Sequence, residues 1–165
     1  LVAPRAPDAL RPGGALAHVH ATTHEGLRGT DASLPHPQPP RDAIDDLVAA
    51  HLGTSSRAGR GVRDPLTAED ARGTEEARVY RAAGFDGPDG FDGPDGFEVP
   101  GRVVVRTLDE VVASVHSLSY TAPHLFGDRL PAFDRDLRAL LREAAGPPGV
   151  FSERLRETRV DLWRR

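Results

Sequence analysis

The stretch Leu10–His24, LRPGGALAHVHATTH, constrains the fold more than any other part of the chain. Pro12 cannot continue a helix, because it has no N–H to donate and its ring clashes with the preceding turn. Gly13 and Gly14 can take the backbone angles that reverse the chain. Ala15–Ala21 is then a run of small and apolar residues broken only by His18 and His20. Such a run predicts a strand buried on both faces, as in the middle of a parallel sheet.

The 165 residues are enough for one domain with a real core. A net charge of −4 leaves no basic footprint for nucleic acid. All 21 basic residues are Arg, which reflects a GC-rich coding sequence rather than a function. With no Cys there is no disulfide, no Cys-ligated zinc and no thiol nucleophile. No apolar run approaches the ~18 residues of a membrane span. The N-terminus lacks the charged-then-apolar pattern of a signal peptide. The expectation is a soluble cytoplasmic protein. The chain contains no Met and starts at Leu1, just before a helix end and an inner strand, so further chain is expected upstream.

Leu1–Leu10 reads as an irregular lead-in and a helix end, limited by Pro4 and Pro7. Thr22–Pro40 is a long loop rich in Pro, Gly, Thr and His. Asp42–Leu52 is an amphipathic helix, with Ile44, Leu47, Val48 and Leu52 on one face and Gly53 as its stop. Ser55–Pro65 is a basic loop carrying Arg57, Arg60 and Arg63. Thr67–Ala83 is a helix with a break at Gly73, its inner face formed by Val79, Tyr80 and Ala83.

Phe85–Gly90 and Phe91–Gly96 repeat one hexapeptide, FDGPDG, which is turn-forming. Asp86, Asp89, Asp92 and Asp95 fit neither the spaced calcium loop nor the glycine-rich nonapeptide repeat, so a ligand-free surface loop is expected. Phe97–Arg106 reads as a strand bent at Pro100–Gly101. Thr107–His116 is a helix opened by a Thr107–Glu110 capping box, with Leu108, Val111, Val112 and Val115 inward. Ser117–Asp128 reads as loop. Leu130–Ala145 is the clearest helix, with Leu130, Phe133, Leu137, Leu140, Leu141 and Ala144 on one face and an Asp134–Arg138 pair on the other. Thr158–Trp163 alternates as a final strand.

These blocks carry a resemblance. "LRPGGALAHVHA" resembles the entry to the fifth strand of class I S-adenosylmethionine-dependent methyltransferases. "EEARVYRAAGF" resembles the helix that follows that strand. The C-terminal half, including Ser117–Leu118–Ser119, looks like the end of bacterial enzymes of the methyltransferase type 11, ubiquinone-biosynthesis-like group. The implied fold is α/β: the last strands of a partial Rossmann-like sheet, with a helical insertion at 107–146 covering the substrate and the first strands missing. The last strand of that family inserts antiparallel beside the fifth. Ala15–Ala21 is therefore expected to pair with Thr158–Trp163, with Phe97–Arg106 on the other side. The resemblance implies S-adenosylmethionine as cofactor and a small-molecule methyl acceptor. However, no G-x-G-x-G occurs, so no cofactor-binding residue is assigned in this chain. An isolated chain of this kind is expected to be inactive, with the apolar stripes of Asp42–Leu52 and Leu130–Ala145 incompletely covered.

Methyl transfer needs an aligned nucleophile and often a base. His20, His24, Tyr120 and His124 are the candidates. His18, His20 and His24 resemble the start of H-x-H-x-D-H in metallo-β-lactamase-like hydrolases, but Thr22 stands at the Asp position and His24 falls one place late. No metal ligand is therefore assigned. A non-enzymatic binding module of the same fold and a His-cluster hydrolase remain as alternative readings. Neither the acceptor nor the oligomeric state is legible.

Overall fold

A computed structural model describes residues 10–11, 14–20, 24–53, 57–58, 61–62, 77–87, 96–147 and 149–164. The elements in chain order are β1 (Ala15–His20), α1 (Arg41–Leu52), β2 (Arg57–Ala58), β3 (Gly61–Val62), a helical stretch at 77–82, β4 (Gly96–Val99), β5 (Val103–Thr107), α2 (Leu108–His116), two 3-10 turns (Pro123–Leu125 and Gly127–Arg129), α3 (Leu130–Ala145), β6 (Val150–Arg154) and β7 (Thr158–Arg164). The protein is mixed α/β, and its paired strands are antiparallel. Among the described residues no helix is long and apolar enough to cross a membrane.

The chain divides into two compact units. One is drawn from Leu1–Ala21, Asp64–Pro100 and Glu157–Arg165, the other from Thr22–Arg63 and Gly101–Arg156. The first unit is built on a three-stranded sheet in the order β1–β7–β4. β7 is antiparallel to both neighbours, so β1 and β4 run parallel to each other. In register, Val19 and Phe97 both stand opposite Val160, and His18 and Gly96 both stand opposite Asp161.

The expectation that Ala15–Ala21 is buried on both faces does not hold. β1 alternates, with Leu16, His18 and His20 half-buried and Ala15, Ala17 and Val19 exposed. The period of two forces this outcome. Once the histidines find partners on one face, the small apolar residues must turn to the other. That other face shows Val19 at 53 %, Phe97 at 56 % and Val99 at 49 % exposure.

The predicted strand Phe97–Arg106 is two strands in two sheets. Gly96–Val99 pairs with β7, and Val103–Thr107 pairs with β6. Pro100 has no N–H for a ladder and Gly101 carries no side chain to hold one, so the pairing changes partner there.

The second unit has its own core. α3 packs against both α1 and α2. Ile44 and Val48 from α1, Val111, Val112 and Val115 from α2, and Phe133, Leu137, Leu141 and Ala145 from α3 meet Phe126 and Phe151 in one cluster. The apolar stripes expected to be incompletely covered meet in this cluster, because the 3.6-residue period turns each toward the same centre, while Leu47, Leu52, Leu130, Leu140 and Ala144 stay only partly buried at its edge. Phe126 stacks on Phe133 at 4.1 Å.

The helix ends follow the sequence. The Thr107 hydroxyl accepts from the Glu110 N–H at 3.2 Å, and the Glu110 carboxylate accepts from the Thr107 N–H at 2.7 Å. Gly53 and Gly146 close α1 and α3 with positive φ. Ser117–Asp128, predicted as loop, contains the 3-10 turn at Pro123 and the start of the second. The predicted Asp134–Arg138 pair is replaced by longer-range partners: Asp134 takes His116 at 2.7 Å and Arg138 takes Asp109 at 2.5 Å. α2 stands within reach of both residues and supplies the two partners, His116 and Asp109.

Several expectations fall outside the described residues: the lead-in at 1–9, the turn at Pro12–Gly13, Thr22–Thr23, the helix start and break at 67–76, Arg60 and Arg63, and the repeat at 88–95.

Candidate functional site

The covered face of the first unit's sheet gathers the chemistry-bearing side chains. On β7 the alternation puts Arg159, Asp161 and Trp163 on one face. On β1 the same register brings His18 opposite Asp161 and His20 opposite Arg159. His20 and Asp161 are therefore diagonal neighbours, a spacing that long polar side chains can bridge. His20 Nε2 lies 2.9 Å from Asp161 Oδ2. The other oxygen, Oδ1, accepts from Arg159 Nε at 2.7 Å. The Asp161 side chain is 9 % exposed and that of His20 34 %. A carboxylate buried to this degree needs both oxygens satisfied, and they are.

Aromatic rings extend the cluster. The His18 ring lies 4.1 Å from that of His20 and 5.6 Å, edge-on, from Tyr80. Tyr80 comes from the helical stretch 77–82 and leans on Trp163 at 5.0 Å. The Arg81 guanidinium sits 5.6 Å from the Trp163 ring centre, a cation–π contact. Gly87 passes so close that an added Cβ would lie 2.0 Å from Trp163 Cε3. Trp163 is buried, and its Nε1 meets no acceptor among the described residues.

The other sequence candidates lie in the second unit. The His24 carbonyl accepts from Arg41 Nη2 at 3.0 Å, and its ring stands 3.8 Å from Glu25. Tyr120 is half-buried after α2, and His124 is exposed in the turn Pro123–Leu125. Ser117 bonds locally to the Ser114 carbonyl at 2.7 Å. Of the four candidates, His20 joins a buried titratable group, Asp161. Among the described residues no three His, Cys, Asp or Glu side chains stand close enough together to hold a metal ion.

Sequence reasoning missed Asp161 as the partner of His20 and Arg159 as the partner of Asp161. The available signal was a carboxylate in the middle of an alternating apolar strand, which needs a cation or a donor opposite it. It also missed β6 and its buried Glu153. That carboxylate receives Arg41 and Arg106, both at 2.8 Å, and the Gly26 N–H at 2.9 Å. The network ties the loop before α1 to the paired strands β5 and β6.

Comparison with family models, with curated proteins and with solved structures matches this chain to none of them.

Proposed function

We propose that this chain forms the acceptor-side, C-terminal part of a class I S-adenosylmethionine-dependent methyltransferase acting on a small molecule. One observation carries the reading. The final strand β7 lies between β1 and β4 and runs antiparallel to both. The resemblance of LRPGGALAHVHA and of the C-terminal blocks implies that strand order, which shared composition alone would not produce.

The described residues do not fit the cofactor itself. No G-x-G-x-G occurs in the chain. The buried carboxylate on the covered sheet face, Asp161, is already taken by His20 and Arg159. An anionic or ribose-bearing group needs backbone amides at a helix N-terminus and an uncommitted acid. On this reading the glycine-rich strand–turn–helix is supplied by polypeptide outside these 165 residues, and this chain contributes the acceptor side.

Isothermal titration with S-adenosylmethionine tests the reading on two proteins: this chain, and the chain joined to a class I glycine-rich N-terminal half. The expected result is no binding by the first and micromolar binding by the second. Tight binding by this chain alone would overturn the assignment. Absence of binding by both would favour a non-enzymatic module of the same fold.

A further inference from the structure

His116, the last residue of α2, aims both ring nitrogens at groups that can only accept. Nδ1 lies 3.3 Å from the Thr121 carbonyl oxygen, and Nε2 lies 2.7 Å from Asp134 Oδ1. The ring stands edge-on to Phe133 at 5.7 Å and to Phe126 at 6.3 Å, and the side chain is 17 % exposed. Packed against two rings that stack on each other, it has little room to turn either nitrogen elsewhere. An imidazolium has two N–H donors and satisfies both acceptors. A neutral imidazole has one donor, and its other nitrogen carries a lone pair. We propose that His116 is a proton-operated latch: the doubly protonated ring ties the segment Ser117–Thr121 to α3, and loss of one ring proton releases that segment.

Which contact gives way follows from the acceptors. The bond to the Asp134 carboxylate is the shorter and is made to a charged group, so the neutral ring keeps its hydrogen on Nε2. Nδ1 then meets the Thr121 carbonyl lone pair to lone pair. Thr121 is 1 % exposed, so its carbonyl must move to find water in place of the lost donor. The segment's other bonds fold it onto the end of its own helix. The Thr121 N–H donates to the Leu118 carbonyl at 3.1 Å, the Thr121 hydroxyl donates to the Val115 carbonyl, and the Leu118 N–H donates to that same carbonyl at 3.3 Å. The His116 ring relays this folded segment to α3. Around it, Arg138 of α3 is taken by Asp109 of α2, and His51 of α1, which meets the Phe133 ring as well, is taken by Asp136 of α3. Tyr120 lies in the segment itself and His124 in the turn after it, so the latch sets how two of the sequence candidates are held. It does not rest on the methyltransferase reading.

Two measurements on the 165-residue chain decide it, both made between pH ~5 and ~8, the range in which histidine ordinarily changes charge. Long-range proton–nitrogen NMR of the 15N-labelled chain follows the His116 ring. The expected result is two protonated nitrogens at the acid end and the Nε2–H tautomer at the alkaline end; an Nδ1–H tautomer there would overturn the proposal. Amide hydrogen exchange follows the segment, expressed as protection so that the intrinsic pH dependence of exchange drops out. Protection of the Thr121 amide is expected to fall about fivefold or more from the acid to the alkaline end, as the loss of one ordinary hydrogen bond requires. Protection of Leu137 and Leu141 on α3 is expected to stay unchanged. In His116→Gln, which is neutral throughout, Thr121 is expected to be equally protected at both ends. Thr121 protection that does not depend on pH, a dependence that persists in His116→Gln, or an equal change on α3 would each overturn the latch. The tautomer and the comparison with α3 need no variant, so they decide the matter even where His116→Gln fails to fold.

Discussion

Arg41 and Glu153, 112 residues apart, form a two-pronged contact in which Nε and Nη2 both donate to Oε1, at 3.1 and 2.8 Å. The Glu153 side chain is 3 % exposed, and Arg106 closes on its other oxygen. Burying these charges is costly and only their mutual pairing offsets it, so removing one partner strands the others. Glu153→Ala is therefore expected to destabilise the second unit by about 3–5 kcal/mol. Urea unfolding followed by circular dichroism measures it, and a loss below about 1 kcal/mol would mean that the two arginines find water instead.

Leu137 on α3 is fully buried between α1 and α2. Leu137→Ala removes its contacts and leaves a cavity, with an expected loss of about 2–5 kcal/mol. Leu140, three residues further along α3 and only partly buried, is the internal control. The same change at Leu140 is expected to cost clearly less in the same denaturant titration.

Two glycines are fixed by space. An added Cβ at Gly26 would lie 2.6 Å from Glu153 Cβ, and at Gly87 it would lie 2.0 Å from Trp163 Cε3. Either Gly→Ala change forces its buried neighbours to shift and is expected to cost about 1–3 kcal/mol. They should differ in where they act. Gly87→Ala is expected to alter the fluorescence of Trp163, the single tryptophan, and Gly26→Ala to leave it nearly unchanged.

The Thr107 cap can be tested alone. Thr107→Ala removes the acceptor of the Glu110 N–H and is expected to cost about 1 kcal/mol, while Thr107→Ser restores most of it. Thermal unfolding of the three proteins side by side gives the comparison.

Two carboxyl groups set an acid limit. Hydrogen bonds from the Ser33 hydroxyl, then from Arg154, lower Asp31 from 3.8 to about 2. The Thr107 N–H and hydroxyl hold Glu110 below its ordinary value as well. Both shifts are downward, so the folded state binds fewer protons than the unfolded one in this range. Their stabilisation is complete above the unfolded carboxyl values and disappears as pH falls through the lowered ones. For Asp31 that window runs from about 4 down to about 2. Carboxyl-carbon NMR should give an Asp31 midpoint near 2, rising in Ser33→Ala; a midpoint at the ordinary carboxylate value would show that the contacts do not persist in solution.

Much of the local structure was legible because its determinants lie within a few residues of one another. The stripes of α1, α2 and α3, the Thr107–Glu110 box, the glycines after α1 and α3, and the alternation of β7 each need only a period or a cap. What escaped depends on groups far apart in the chain. β6 is five residues long, and Glu153 and Arg154 interrupt its apolar pattern. It reads as a strand only once Arg41 and Arg106 are known to neutralise the glutamate. Phe97–Arg106 shows one β pattern, yet the choice of two partners on either side of Pro100 belongs to β7 and β6. At the candidate site the sequence supplied His20. It did not supply Asp161, 141 residues away. The face on which His20 lies was decided by strand register, because a side chain's face follows from a period of two but its partner follows from which strand is brought alongside.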